Sequence, residues 1–143
     1  MSNRSEHSIL PYAVVCETDV MVKVRDGARL ATDIYRPARD GKPVDAAFPV
    51  ILERTPYGKH LASRSEMDRG ETKPRSRLEV ASYFVEQGYV VVYQDCRGRY
   101  GSEGKFIKYL SDGEDGFDTI AWIAKQPWCD GRVATMGLSY AAH

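Results

Sequence analysis

The sequence predicts an α/β protein, with an antiparallel N-terminal hairpin followed by parallel strands joined through crossover helices. Three observations carry this. Residues 19–36 alternate apolar and polar side chains on either side of Asp26-Gly27, the pattern of two strands meeting at a tight turn. Short apolar runs recur at 48–52, 89–93 and 132–136, and between them apolar residues return at helical spacing. Strand and helix patterns in alternation imply a parallel sheet with right-handed connections.

Taken in order, residues 1–18 form an N-terminal extension and residues 19–143 a partial domain built from the elements that follow. After the hairpin comes a loop rich in Asp, Gly and Pro, then Phe48-Pro49-Val50-Ile51-Leu52, a run that reads as a strand buried on both faces. It ends at Arg54-Thr55-Pro56-Tyr57-Gly58. Residues 60–77 are charged and lack an apolar period, which predicts a solvated loop. Leu78, Ala81, Tyr83, Phe84 and Val85 return at helical spacing, and Gly88 stands where a helix end needs a left-handed residue. Tyr89-Val90-Val91-Val92-Tyr93 is the strongest strand, continuous and β-branched. A glycine-rich loop leads to a helix over 114–126, with Phe117, Ile120, Ala121, Ile123 and Ala124 on one face and Pro127 beyond its end. The last strand runs directly into Gly137-Leu138-Ser139.

Composition narrows the function classes. With 143 residues, 43% hydrophobic and 28% charged, the chain suits one soluble globular domain. Lys+Arg and Asp+Glu both number 20, so no charge excess points to nucleic acid or an anionic membrane as partner. Cys16, Cys96 and Cys129 are odd in number and not closely spaced, a pattern of reduced thiols rather than of disulfides or a zinc site. The N-terminal apolar patch is short and broken by Pro11. It makes neither a spanning helix nor a secretory signal, and the expected location is cytoplasmic.

Met136-Gly137-Leu138-Ser139-Tyr140-Ala141-Ala142 has the composition of a nucleophile elbow. A serine hydroxyl needs activation and must stand clear of the sheet to reach a substrate. A strand entering a helix through a sharp turn presents it so, and the strained turn demands small neighbours. The backbone N–H of Tyr140 would then face the oxyanion of a tetrahedral intermediate.

The ordered segments DGARLATDIYRP, RTPYGK, GYVVVYQDCRGRYGSEGKF, DGEDGFDTIAWIAKQPWCDGRV and GLSYAAH together resemble the N-terminal part of the cocaine esterase, α-amino acid ester hydrolase and X-prolyl dipeptidyl peptidase group. The resemblance covers nearly everything from about Val20 onward. It implies the N-terminal part of an α/β-hydrolase sheet, Ser139 as acyl-accepting nucleophile, the Tyr140 N–H as one oxyanion donor and the Tyr57 hydroxyl as the other. On the residues alone, Tyr57 reads instead as a core aromatic. The chain departs from the family pattern at Ala142, where a glycine is usual.

Triad order on this fold is Ser, then Asp or Glu, then His. The Asp and His are therefore expected outside this sequence, the resemblance implies a helical cap and a C-terminal β-sandwich there as well, and the isolated fragment is expected to be inactive. His143 lies one helical turn from Ser139 rather than facing it, while His60 belongs to a loop and His7 to the terminus. Asp95, which precedes the serine, reads as a loop organiser through ion pairs or backbone hydrogen bonds.

The implied function is a serine hydrolase acting through an acyl-enzyme on a small-molecule ester or an X-Pro peptide, with no metal or organic cofactor. A non-catalytic remnant or binding module on the same scaffold is the alternative. Gly98, Gly101 and Gly104 match neither a dinucleotide fingerprint nor a Walker loop. Asp112, Glu114, Asp115 and Asp118 lack the spacing of a calcium loop and read as acidic residues opening a helix.

Overall fold

The computed structural model describes residues 10–63, 67 and 69–143. Among them six strands form one mixed sheet flanked by two helices. Strands β1 (Ala13–Lys23) and β2 (Arg29–Arg39) pair antiparallel across Asp26-Gly27, with Gly27 at φ 93°. Strand β1 starts at Ala13, ahead of the point where alternation becomes visible. A two-residue strand β3 (Lys42–Pro43) folds back on the end of β2, inside the segment read as loop.

Strands β4 (Phe48–Thr55), β5 (Val90–Asp95) and β6 (Cys129–Thr135) complete the sheet in the order β1-β2-β5-β4-β6, and β4 is parallel to both β5 and β6. All six residues of β5 are buried. Its side chains alternate between two clusters. Val90 and Val92 pack with Ile34, Val50, Leu52, Ile123 and Trp128, whereas Val91 and Tyr93 pack with Tyr35, Ala81 and Val85. Helices α1 (Arg77–Val85) and α2 (Asp112–Ala124) thus cover opposite faces. Burying each valine contributes about 1.5–3 kcal/mol, which holds this strand central.

Helix α1 opens with a capping box, in which Ser76 accepts from the Glu79 N–H and Glu79 accepts from the Ser76 N–H. Gly88 has φ 90°, the left-handed conformation expected at that helix end. The buried face matches the apolar one predicted at Ala81 and Val85 but not at Leu78 and Tyr83. Arg77, Val80, Ala81 and Val85 are buried, while Leu78 and Tyr83 are exposed. Arg77, read as the end of a solvated loop, pairs with buried Glu53 at 2.9 Å and lies over the Tyr93 ring.

Helix α2 likewise matches the predicted face at Ile123 but not at Phe117 and Ile120. Phe117 and Ile120 are exposed, and Asp115, Thr119 and Ile123 face inward. Polar groups inside explain it, because Asp115 meets Arg97 at 2.7 Å and the Thr119 hydroxyl donates to Gln94 Oε1 on β5. A helix with satisfied polar groups inside can turn part of its apolar surface outward. Strand β6 lies at the sheet edge with most of its residues exposed.

Candidate active site

Parallel strands bring their C-terminal ends to one edge of the sheet, and loops leaving that edge carry the chemistry of open α/β sheets. Thr55 is in register with Asp95, and Leu52 with Thr135. The Tyr57 segment, the glycine-rich loop after Asp95 and the Gly137-Leu138-Ser139 turn therefore converge.

The turn is sharp. Met136 continues the ladder through its N–H to the Leu52 carbonyl, and Leu138 is extended at φ −117°. Ser139 then takes φ 57°, left-handed for a residue with a Cβ, at a cost of about 1–3 kcal/mol. A 3-10 turn, Ser139–Ala142, follows. The Ala141 N–H bonds to the Leu138 carbonyl and that of His143 to the Tyr140 carbonyl. A Cβ on Gly137 would sit 2.1 Å from the Ala141 oxygen. Only glycine lets the returning backbone pass this close.

Tyr57 is 52% exposed, so the core-aromatic alternative does not hold. With Pro56, Arg99, Phe106, Ser139 and Tyr140 it lines a cleft of about 280 Å³. The serine and both oxyanion-donor residues named from the sequence thus share one cleft. The Tyr140 N–H sits in the first turn of a helical segment, where donors lack intrahelical acceptors. Its side chain is buried, donates to Asp112 at 2.5 Å, accepts from the Tyr109 N–H at 2.8 Å and stacks on Tyr109 at 4.8 Å. Burial, and then the hydrogen bond to Asp112, push the Tyr140 phenol up to about 12.

Among the described residues the Ser139 hydroxyl makes no hydrogen bond to a histidine. The His143 ring packs 5.0 Å from Tyr109, and His60 meets Tyr100 edge-on at 5.4 Å. His7 lies outside the described residues. Asp95 organises the loops as the sequence indicated, accepting from the Lys59 N–H at 2.7 Å and the Gly101 N–H at 3.2 Å.

The acidic residues at the start of α2 are engaged by cations and a phenol. Asp118 and Glu114 pair with Arg25, Asp115 with Arg97, and Asp112 accepts from Tyr140. Among the described residues no group of three His, Cys, Asp or Glu could hold a metal ion, and no helix is long and apolar enough to cross a membrane. Cys96 and Cys129 are buried thiols, Cys16 an exposed one, and burial pushes Cys96 up to about 12.

Among the described residues, sequence reasoning missed two cations buried in ion pairs, Arg77 on Glu53 and Lys59 between Asp19 and Asp33. Both sit in charged stretches, and no local pattern distinguishes them from solvated neighbours. The capping box Ser76-Arg77-Leu78-Glu79 was the one signal that could have moved Arg77 out of the loop.

Comparison with known proteins places these features. Residues 26–143 match the X-Pro dipeptidyl-peptidase (S15) family. Over 123 residues the chain is 46% identical to the cocaine esterase of a Rhodococcus strain, covering 86% of this chain and 19% of that protein. A CocE/NonD family hydrolase from Staphylococcus aureus superposes with TM-score 0.73 at 31% identity, over 90% of this chain and 24% of that one. An α-amino acid ester hydrolase superposes with TM-score 0.65 at 28% identity, over 98% and 24%. The chain spans about a fifth of the length of the curated relatives it matches.

Proposed function

The chain belongs to the X-Pro dipeptidyl-peptidase (S15) family, and on that premise we propose that it carries the nucleophile and oxyanion hole of a serine hydrolase acting on an ester or an X-Pro peptide. Relatives in this family are esterases and X-Pro dipeptidyl-peptidases. The observation that carries the proposal is Ser139 at φ 57°, on a turn that ends a parallel strand, in one cleft with Tyr57 and Tyr140.

In the proposed reaction Ser139 Oγ attacks the substrate carbonyl carbon while a histidine takes its proton. The carbonyl oxygen becomes an oxyanion that accepts from the Tyr140 N–H and the Tyr57 hydroxyl. Collapse expels the alcohol or amine, protonated by that histidine, and leaves an acyl-serine. Water, deprotonated by the same base, attacks the acyl carbon and releases the acid. The histidine and its carboxylate partner are taken from the remainder of a protein of the relatives' length, since neither described histidine contacts Ser139.

Covalent labelling of the intact protein with a fluorophosphonate tests the reading, because the probe requires an activated serine. The expected result is one adduct, mapped to Ser139 by peptide mass spectrometry and abolished by Ser139→Ala. Absence of an adduct would overturn the hydrolase reading and favour a non-catalytic scaffold.

A further inference from the structure

The segment from Pro56 to Leu61 belongs to no helix or strand, yet it is tied along most of its length. The Pro56 carbonyl accepts from Arg99 Nε at 2.9 Å, and the Tyr57 N–H donates to Thr55 Oγ1 at 3.0 Å. The Gly58 carbonyl accepts from the Leu61 N–H, and the Leu61 carbonyl from Arg77 Nε at 2.9 Å. Lys59 is held at both ends. Its N–H donates to Asp95 Oδ1 at 2.7 Å, and its ammonium lies 2.8 Å from both Asp19 Oδ1 and Asp33 Oδ1.

This is an expensive arrangement if stability is its only purpose. Lys59, Asp33 and Asp95 are 5%, 4% and 1% exposed, and for buried ion pairs desolvation commonly cancels the Coulombic gain. Burial acts against the Lys59 charge, but the hydrogen bonds to Asp19 and Asp33 outweigh it and raise its pKa. Strand β1 contributes too. Its register shifts between Glu17 and Val20, Asp19 adopts φ 54°, and the Asp19 N–H donates to Asp33 Oδ1 at 3.0 Å. A bulge is a device for re-aiming a side chain. Here it aims a carboxylate at the lysine two residues after Tyr57, a residue that lines the Ser139 cleft.

We propose that Lys59 is a positioning residue for the oxyanion hole: its ammonium on Asp19 and Asp33, and its N–H on Asp95, fix the segment that sets the Tyr57 hydroxyl beside Ser139. The inference rests on Tyr57 being an oxyanion donor. A donor displaced by about 1 Å can lose on the order of a hundredfold in rate, so a rigid anchor two residues away has a direct kinetic consequence.

The test uses the intact protein and initial rates with 4-nitrophenyl acetate. Tyr57→Phe comes first. If the unsubstituted protein has no turnover the hydrolase reading fails, if Tyr57→Phe keeps the full kcat the reading of Tyr57 as a donor fails, and the inference falls with either. Lys59→Met alone strands the Asp33 carboxylate, so the anchor is removed as the pair Lys59→Met with Asp33→Asn, which leaves no buried unpaired charge. Expected is a fall in kcat of about 10- to 100-fold with KM within about twofold. In a Tyr57→Phe background the same pair should change kcat by less than about twofold, because the group it positions is gone. An equal fall in both backgrounds, or an unchanged kcat when Tyr57 is present, overturns the proposal. Should the pair not fold, Lys59→Arg is measured in both backgrounds under the same criteria.

Discussion

Gly137→Ala tests whether the turn at Ser139 works through close backbone passage. The added methyl would lie 2.1 Å from the Ala141 oxygen and 2.4 Å from its carbonyl carbon. Real Cβ atoms do not approach within 3.0 Å, so the oxygen contact alone calls for a displacement of roughly 0.9 Å, with main chain on both sides of it. Backbone cannot yield as a side-chain tip can. Either the 3-10 turn moves off the strand end or residue 137 moves, and both shift Ser139 and the Tyr140 N–H relative to Tyr57. A shift of that size costs about a hundredfold in rate where geometry governs catalysis, plus about 1–3 kcal/mol of overpacking. The assay is the second-order rate constant for fluorophosphonate labelling of the intact protein, read beside its melting temperature. Expected are a rate on the order of a hundredfold lower and a lower Tm. Labelling at the unsubstituted rate with unchanged Tm would refute the reasoning, since the turn would then tolerate a methyl where the geometry leaves no room.

Two further outcomes test the packing around the site. Arg97→Met strips Asp115, 1% exposed, of its guanidinium partner, and chemical denaturation should show a loss of about 3–5 kcal/mol. Asp26→Ala removes only the exposed limb of the same network and should move the midpoint much less. The Tyr140 phenol is raised from 10.0 to about 12 by burial and by its bond to Asp112, so its contribution to stability is complete below pH 10 and drains away as pH climbs toward 12, where the unfolded chain has already released that proton. Unfolding measured across this window should lose less stability in Tyr140→Phe than in the unsubstituted protein; an identical loss would show that burial and Asp112 do not keep the phenol protonated.

Legibility followed the range of the interactions. The hairpin about Asp26-Gly27, the buried run at β5, the left-handed Gly88 and the Gly137-Leu138-Ser139 turn were readable because each depends on residues adjacent in the chain. Helix faces were legible only in part, with Ala81, Val85 and Ile123 buried as expected. Apolar spacing placed Leu78, Tyr83, Phe117 and Ile120 on the apolar faces of their helices, yet they are exposed while Arg77, Asp115 and Thr119 turn inward. The partners that make this possible, Glu53, Arg97 and Gln94, lie 18 to 25 positions away.

The sequence by itself determined the order of elements, the α/β class and which serine stands on a turn, since propensity, periodicity and turn chemistry act over a few residues. Only the tertiary structure decided that Tyr57 lines the Ser139 cleft, that Lys59 is buried between two carboxylates and that Asp95 ties two loops together. The physical reason is desolvation. A charge in a polar stretch is at ease in water and becomes an internal anchor only when the fold brings it a counter-charge from a distant strand, and nothing in the local sequence records which strand that will be.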